Sequence, residues 1–281
     1  MSHTNSNIDP YDFHAVNSKV KEFFNKKGLI ECYTQNRLSI LSACEDPNSL
    51  TEFEYVGKSW PMPQTNQMWL EHLIMELGPN VKGLQCTTTS YRQEKHPIPG
   101  RHDLIFPMFE FEIPEDLDGL IAFEKELLEH LGFGPKELYV EVEYEDMCKK
   151  YGVDTIEHEQ EQLLWKDYGP VVFLKNFPER TSAFFNMRRD PITNLARKID
   201  ILVCGIETFG SAERSCNPEE MRKLFYTISD GEYANTLFTK FGKERVEKEL
   251  EEFLSHKFFV RSGCGIGCTR LIRGMKIMNL I

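Results

Sequence analysis

No run in this 281-residue chain approaches the ~20 consecutive apolar residues that a membrane-spanning helix needs, so no helical membrane protein is expected. The opening residues, MSHTNSNIDPYD, lack the apolar core of a secretion signal, which makes a cytoplasmic location the expectation. None of the eight cysteines forms a C-x-x-C pair, and in a chain of this size without a signal the thiols are expected reduced, serving as small apolar residues. Cys264 and Cys268 stand four apart, but no second His or Cys pair is near to complete a zinc site. Positive charge is in deficit: 33 Lys and Arg face 44 Asp and Glu, a formal charge of -11, which argues against a broad footprint on a nucleic-acid backbone and excludes DNA as an expected partner. Repeats, low-complexity tracts and linkers are absent too. One domain over residues 13–281, after a polar tail over 1–12, is the expected organisation.

What is present alternates between helix and strand signals. Phe13, Val16, Val20, Phe23 and Phe24 recur at helical spacing, and Lys26-Lys27-Gly28 supplies a basic last turn and a stop before a strand over 29–34. Residues 41–55 read as a turn-rich loop. A helix then runs through Leu77, with Thr65 or Asn66 as its cap and Gln67 in its first turn. Apolar-rich strands over 84–91 and 105–111 flank a segment whose Pro97, Pro99 and Gly100 forbid a regular ladder, so the pair reads as a hairpin with a long loop. Further on come an amphipathic helix ended by Gly132, short helices over 146–151 and 155–165, and a buried strand over 171–174.

Three stretches carry chemistry. The hairpin loop gathers Arg92, Lys95, Arg101 and His102 in an otherwise acidic protein; these cations either meet a polyanion such as a nucleoside triphosphate or form a solvated tip. Residues 198–207 are apolar between two acids, Asp200 and Glu207. Seven apart, they share no face of an unbroken strand, but a bulge or turn at Cys204-Gly205 would bring them together; they then either mark strand ends or hold a cation. Gly263, Gly265 and Gly267 alternate, so a ligand can lie flat against that strand, and a helix beginning near Gly267 would offer free N–H groups.

The stretch Arg92-Gln93-Glu94, then His102-Asp103-Leu104-Ile105-Phe106, resembles the second signature motif of class II aminoacyl-tRNA synthetases. Residues 262–271 are similar to the third, G-x-G-x-G-x-x-R, and residues 19–34 to the first, the dimerisation element, although Gln35 stands where a proline is usual. The resemblance implies an α+β class II synthetase fold, a mainly antiparallel sheet flanked by helices. It implies ATP as substrate with Mg: Arg92 on the α-phosphate, His102 and Arg270 on the γ-phosphate, Arg101 in the same basic loop, Glu94 reading adenine, Phe106 stacking on the base, and Asp200 with Glu207 holding magnesium. Arg92 and Arg270 are then the catalytic pair, and a homodimer through the first motif follows. Ile105 replaces a glutamate of the aspartate and asparagine enzymes, and Pro107 interrupts the second strand's hydrogen bonding.

Within the class, residues 41–55 resemble the mobile loop of aspartyl- and asparaginyl-tRNA synthetases, which assigns Glu45 to the substrate's ammonium group. The segment around Gln67 resembles S-P-Q-L, with Gln67 on the amino acid, Leu70 where aspartyl enzymes place a lysine, and Glu71 nearer the asparaginyl pattern. Gly210-Ser211-Ala212-Glu213-Arg214 is similar to G-G-S-x-R, so Arg214 takes the substrate's side-chain end, and Ser211 in place of glycine is expected to narrow the pocket floor. The family's anticodon-binding barrel has no room before residue 13, and the chain is acidic; tRNA is therefore a doubtful partner. The favoured expectation is an ammonia-dependent asparagine synthetase acting on aspartate, with a truncated asparaginyl-tRNA synthetase and a non-catalytic relative as alternatives.

Overall fold

The computed structural model describes residues 8–34, 38–41 and 47–281. Helix α1 (Pro10–Lys27) starts before the end of the expected tail. Asp9 caps it by accepting the Tyr11 N–H at 2.8 Å, proline stands in its first turn, and Gly28 ends it in the left-handed conformation. The strand after it, β1 (Ile30–Glu31), is shorter than expected. A small hairpin of β2 (Glu52–Tyr55) and β3 (Lys58–Pro61) leads into α2 (Gln67–Leu77), then β4 (Leu84–Tyr91), β5 (Ile105–Ile113) and α3 (Leu117–Leu131). The second half runs β6 (Val140–Glu143), α4 (Tyr144–Tyr151), α5 (His158–Tyr168), β7 (Val171–Phe177), β8 (Ala196–Val203), β9 (Ile206–Glu213), α6 (Pro218–Thr227), α7 (Glu232–Phe241), α8 (Lys243–Leu254), β10 (Ser262–Gly267) and α9 (Cys268–Ile277).

Eight strands form one sheet in the order β1-β4-β5-β10-β9-β8-β7-β6. The six central strands are antiparallel, and only the edge pairs β1 with β4 and β6 with β7 are parallel. The long-looped hairpin of the sequence is β4 with β5, and Pro107 sits in that ladder opposite Thr89 without ending it.

Period-2 alternation makes two faces of this sheet chemically different. Phe109 and Phe111 of β5, Phe209 of β9, and Cys264 and Ile266 of β10 face α1, α3 and α9, closing one core with Val16, Val20, Leu120 and Leu271. On the other face, Leu84 and Cys86 of β4, Leu202 of β8 and Ala212 of β9 pack with α2, α6, α7 and α8. Burial of these apolar side chains, each worth roughly 2 kcal/mol, is what holds the two helical layers to the sheet. The second face also carries Met108, Glu110, Glu112, Gly263 and Gly265, and it is the face that stays open in its middle.

The apolar stretch over 198–207 is two strands. Cys204 and Gly205, both at positive φ (47° and 76°), make the two-residue turn between β8 and β9, and a register shift follows at Ile201/Leu202. That folds Glu207 back toward Asp200, the outcome a turn at this dipeptide demands.

Candidate active site

A cleft of about 390 Å³ opens on the second face, at the ends of β4, β5, β9 and β10. It is lined by Arg92, Glu94, Arg101, His102, Phe106, Glu207 and Arg270, so the residues that sequence patterns assign to one nucleotide do meet around one space. Their cations converge electrostatically. Burial pushes the His102 imidazole below its ordinary range, and the guanidinium groups of Arg270, Arg101 and Arg92 push it further, against the pull of Glu94.

Each of these groups is held by protein partners. Arg92 stacks on Phe106, guanidinium carbon to ring centre 5.6 Å. His102 Nδ1 lies 2.9 Å from Glu94 Oε2, and Arg270 Nη1 donates to the Glu207 carbonyl at 2.7 Å. Arg101 reaches across to α5, where its Nη1 is 2.7 Å from Glu161 Oε2 and 3.0 Å from His158 Nδ1. Three of the four loop cations, Arg92, Arg101 and His102, thus line the cleft, while Lys95 stays exposed.

Asp200 lies deeper. Its Oδ2 accepts from Lys198 at 2.7 Å, while its Oδ1 is buried without a partner among the described residues. Burial lifts this carboxyl to about 7, helped by the Glu207 carboxylate and opposed by Lys198. No group of three or more His, Cys, Asp or Glu side chains able to hold a metal occurs among the described residues. Two adjacent acids with an unpartnered oxygen therefore fit a hard cation only when a ligand supplies further oxygens.

The glycine strand departs from its expected use. A Cβ on Gly263 would come within 1.7 Å of the Glu112 carboxylate and 2.6 Å of Arg214 Nη2, and one on Gly265 would meet Met108 Cε at 2.7 Å and Gln67 Nε2 at 3.1 Å. Only Gly265 and Gly267 line the cleft. Gly263 is needed because a buried ion pair crosses it.

That pair belongs to a cluster at the closed end. Arg214 donates from Nε and Nη2 to Glu112 at 3.2 Å each, and from Nη2 to Gln67 Oε1 at 2.8 Å. Glu71 lies 3.6 Å from Arg214 Nε and accepts from Arg261 Nη2 at 2.6 Å and Asn186 Nδ2 at 2.5 Å. All of these side chains are essentially fully buried. Met187, whose backbone bridges to Arg214, lines the cleft, so the cluster sits directly behind its wall. Sequence patterns found Gln67, Glu71 and Arg214 but missed Glu112, Asn186 and Arg261. The alternation Phe109-Glu110-Phe111-Glu112 was a usable signal, since acids opposite an aromatic face must find partners.

Two expectations need correction. Ser211 does not narrow the pocket floor: beyond the register shift, Phe209 and Ser211 of β9 face the α1/α3/α9 layer, and the Ser211 hydroxyl donates to buried Glu124 of α3. Of the two expected caps of α2, Asn66 makes no side-chain cap bond and Thr65 alone serves. The Asn66 N–H is held by Glu110, and the Asn66 amide donates instead to Thr34 and Thr88, while Thr65 Oγ1 accepts the Gln67 N–H at 3.2 Å. Glu45 and Gln35 lie outside the described residues.

Known proteins share this architecture. The asparaginyl-tRNA synthetase of Pyrococcus horikoshii, solved with asparaginyl-adenylate, superposes with a TM-score of 0.75 at 20% identity, covering 95% of this chain and 65% of that one. The aspartyl-tRNA synthetase of Entamoeba histolytica gives 0.69 at 18% identity, covering 93% and 54%. By sequence, the cytoplasmic asparagine–tRNA ligase of Dictyostelium discoideum is 27% identical over 216 residues, 63% of this chain and 32% of the relative. The aspartate–tRNA(Asp) ligase of Thermococcus kodakarensis is 23% identical over 298 aligned positions, 93% and 63%. The chain thus spans from a third to two thirds of the length of these relatives. A family model described as tRNA synthetases class II (D, K and N) matches residues 12–280. Fold, cleft and that match agree: the chain belongs to the class II tRNA synthetases of this group, a family of ATP-dependent ligases.

Proposed function

We propose that the cleft binds ATP and activates aspartate or asparagine as an acyl-adenylate. The observation that carries this reading is the convergence of Arg92, Arg101, His102 and Arg270 with Glu94, Phe106 and Glu207 around one space of nucleotide size. A carboxylate oxygen of the amino acid attacks the α-phosphorus, the bond from that phosphorus to the bridging oxygen breaks, and pyrophosphate leaves. The protein forms no covalent bond; its guanidinium groups neutralise phosphate charge as it redistributes, and Phe106 and Glu94 orient the base. Asp200 and Glu207 fit a magnesium ion shared with phosphate oxygens, which when bound would add positive charge there. The motif-1-like α1 and β1 would form the homodimer contact.

The acceptor we favour is ammonia: with aspartate adenylated on its side-chain carboxylate, the ammonia nitrogen attacks that acyl carbon, the bond to AMP breaks, and loss of a proton leaves asparagine. The charge of -11 supports a small acceptor over a polyanionic tRNA. Amino-acid-dependent ATP–pyrophosphate exchange tests activation: exchange is expected with aspartate, and its absence with both aspartate and asparagine removes the reading. Formation of asparagine with ammonia, against charging of tRNA, then separates the acceptors.

One consequence concerns Arg101. Because Glu161 holds it in a largely buried ion pair, Glu161→Gln releases the guanidinium toward the phosphates. The KM for ATP in the exchange assay is expected to fall roughly threefold; a rise would mean that Glu161 positions Arg101 rather than competing for it.

A further inference from the structure

The cleft face of β8 carries a cation that the sequence patterns left unassigned. Alternate residues of a strand share a face, and Ala196 and Leu202 set this one against the second core, with Lys198 and Asp200 standing between them. The Lys198 ammonium lies 2.7 Å from Asp200 Oδ2 and 4.0 Å from the centre of the Phe177 ring on neighbouring β7. A carboxylate and an aromatic face thus hold it in place. The Lys198 side chain is about a fifth exposed and that of Asp200 about a tenth; Lys198 lines the cleft together with Glu207, and Asp200 lies deeper.

Charge accounts for this placement. Asp200 and Glu207 are close enough for the charge of one to act on the other, and two acids so near in a partly buried place call for positive charge. A divalent ion shared with phosphate oxygens would bring it from solution. Lys198 brings part of it from the chain. Asp200 Oδ1 is buried without a partner among the described residues, and the ammonium covers Oδ2, so a cation arriving from the cleft meets an acid already neutralised on the side that Lys198 occupies. An ammonium and a divalent ion also repel each other at such short range. A lysine ammonium is a compact point charge that can face phosphate oxygens without matching their geometry, and this one is fixed before any nucleotide arrives.

We infer that Lys198 is a built-in cation of the triphosphate site: it holds the place beside Asp200 that a further metal ion would otherwise take, and it turns one positive charge toward the phosphates. This rests on the proposed binding of ATP in the cleft.

The test counts metal ions. Free Mn²⁺ is followed by electron paramagnetic resonance while the full chain is titrated with the metal in the presence of ATP and the absence of amino acid, at alkaline pH, where protons compete little for the carboxylates. Lys198→Gln keeps a donor for Asp200 and removes the charge; it is expected to bind one more Mn²⁺ per ATP complex than the unaltered protein. Lys198→Arg keeps the charge and is expected to bind the same number as the unaltered protein. In ATP–pyrophosphate exchange the glutamine variant should lose roughly tenfold at the lowest Mg²⁺ that saturates the unaltered protein, and should recover as Mg²⁺ is raised, while the arginine variant keeps most of the rate. An unchanged Mn²⁺ count with ATP still bound overturns the inference and leaves nucleotide binding intact. So does an extra ion that restores none of the lost exchange, and so does a glutamine variant that no longer binds ATP at any Mn²⁺ concentration, because a metal ion then cannot replace the ammonium. Failure of the unaltered protein to bind ATP removes both the inference and the functional reading beneath it. Should Lys198→Gln fail to fold, Lys198→Met, whose thioether packs on the Phe177 ring, carries the same count.

Discussion

Replacing Arg270 with glutamine should lower amino-acid-dependent ATP–pyrophosphate exchange by roughly 10² to 10³-fold, the usual cost of deleting one donor aimed at charge that develops in a transition state. Arg270 sits on the first turn of α9, one turn beyond the last glycine of β10, and its Nη1 bonds the Glu207 carbonyl at 2.7 Å. That contact leaves the side chain about a quarter exposed at the rim of the cleft, facing the same space as Arg92 and His102. Losing one hydrogen bond to a carbonyl costs only about 1 kcal/mol of stability, so the melting temperature should move little. Exchange and melting together form the check. A large loss of exchange with an unchanged melting temperature supports the role, and near-normal exchange would show that the triphosphate lies elsewhere. Loss of exchange accompanied by unfolding would reassign Arg270 to the fold.

The parts of this site that local pattern dictates were legible in the chain. Proline and glycine between two apolar-rich runs require a looped hairpin, and β4 with β5 is that hairpin; alternating glycines followed by Thr269-Arg270 require a flat strand running into a helix, and β10 with α9 supplies it. Cys204-Gly205 could be recognised as the turn that returns Glu207 toward Asp200. What escaped depends on parity and on distance along the chain. Ser211 was set on the wrong face because faces alternate every residue and no local signal gives the phase; the structure sets it under Phe209 and Ile266, against α3. The charged cluster joins residues 71, 112, 214 and 261, whose partnership exists only once β5, β9 and β10 are side by side. Glycine at 263 was legible as a requirement for space, but the occupant of that space, the Glu112–Arg214 pair, was not.

Glu124→Gln should stabilise the protein, and the gain should grow with pH. Glu124 of α3 is fully buried beneath β9 and β10; the Ser211 hydroxyl donates to one oxygen, and the other lacks a partner among the described residues. Burial pushes its carboxyl up to about 8, with Asp200 adding to the effect and hydrogen bonds from Ser211 and Cys264 opposing it. A carboxyl whose folded pKa lies above its unfolded value of about 4.3 contributes its full stability only below that lower value. As pH rises, the unfolded chain releases the proton while the folded chain keeps it, so stability falls until the pH passes about 8 and then levels off. Glutamine keeps an oxygen for Ser211 and never ionises. The variant should therefore melt close to the unaltered protein at pH 5 and roughly 5 °C higher at pH 8, equivalent to about 3 kcal/mol. Other raised acids, Glu112 and Asp200 among them, titrate in both proteins and largely cancel in the difference. A melting difference that does not change between pH 5 and pH 8 would mean that Glu124 is not held protonated in the folded chain, and that the layer between α3 and the glycine strand admits enough water to solvate a carboxylate.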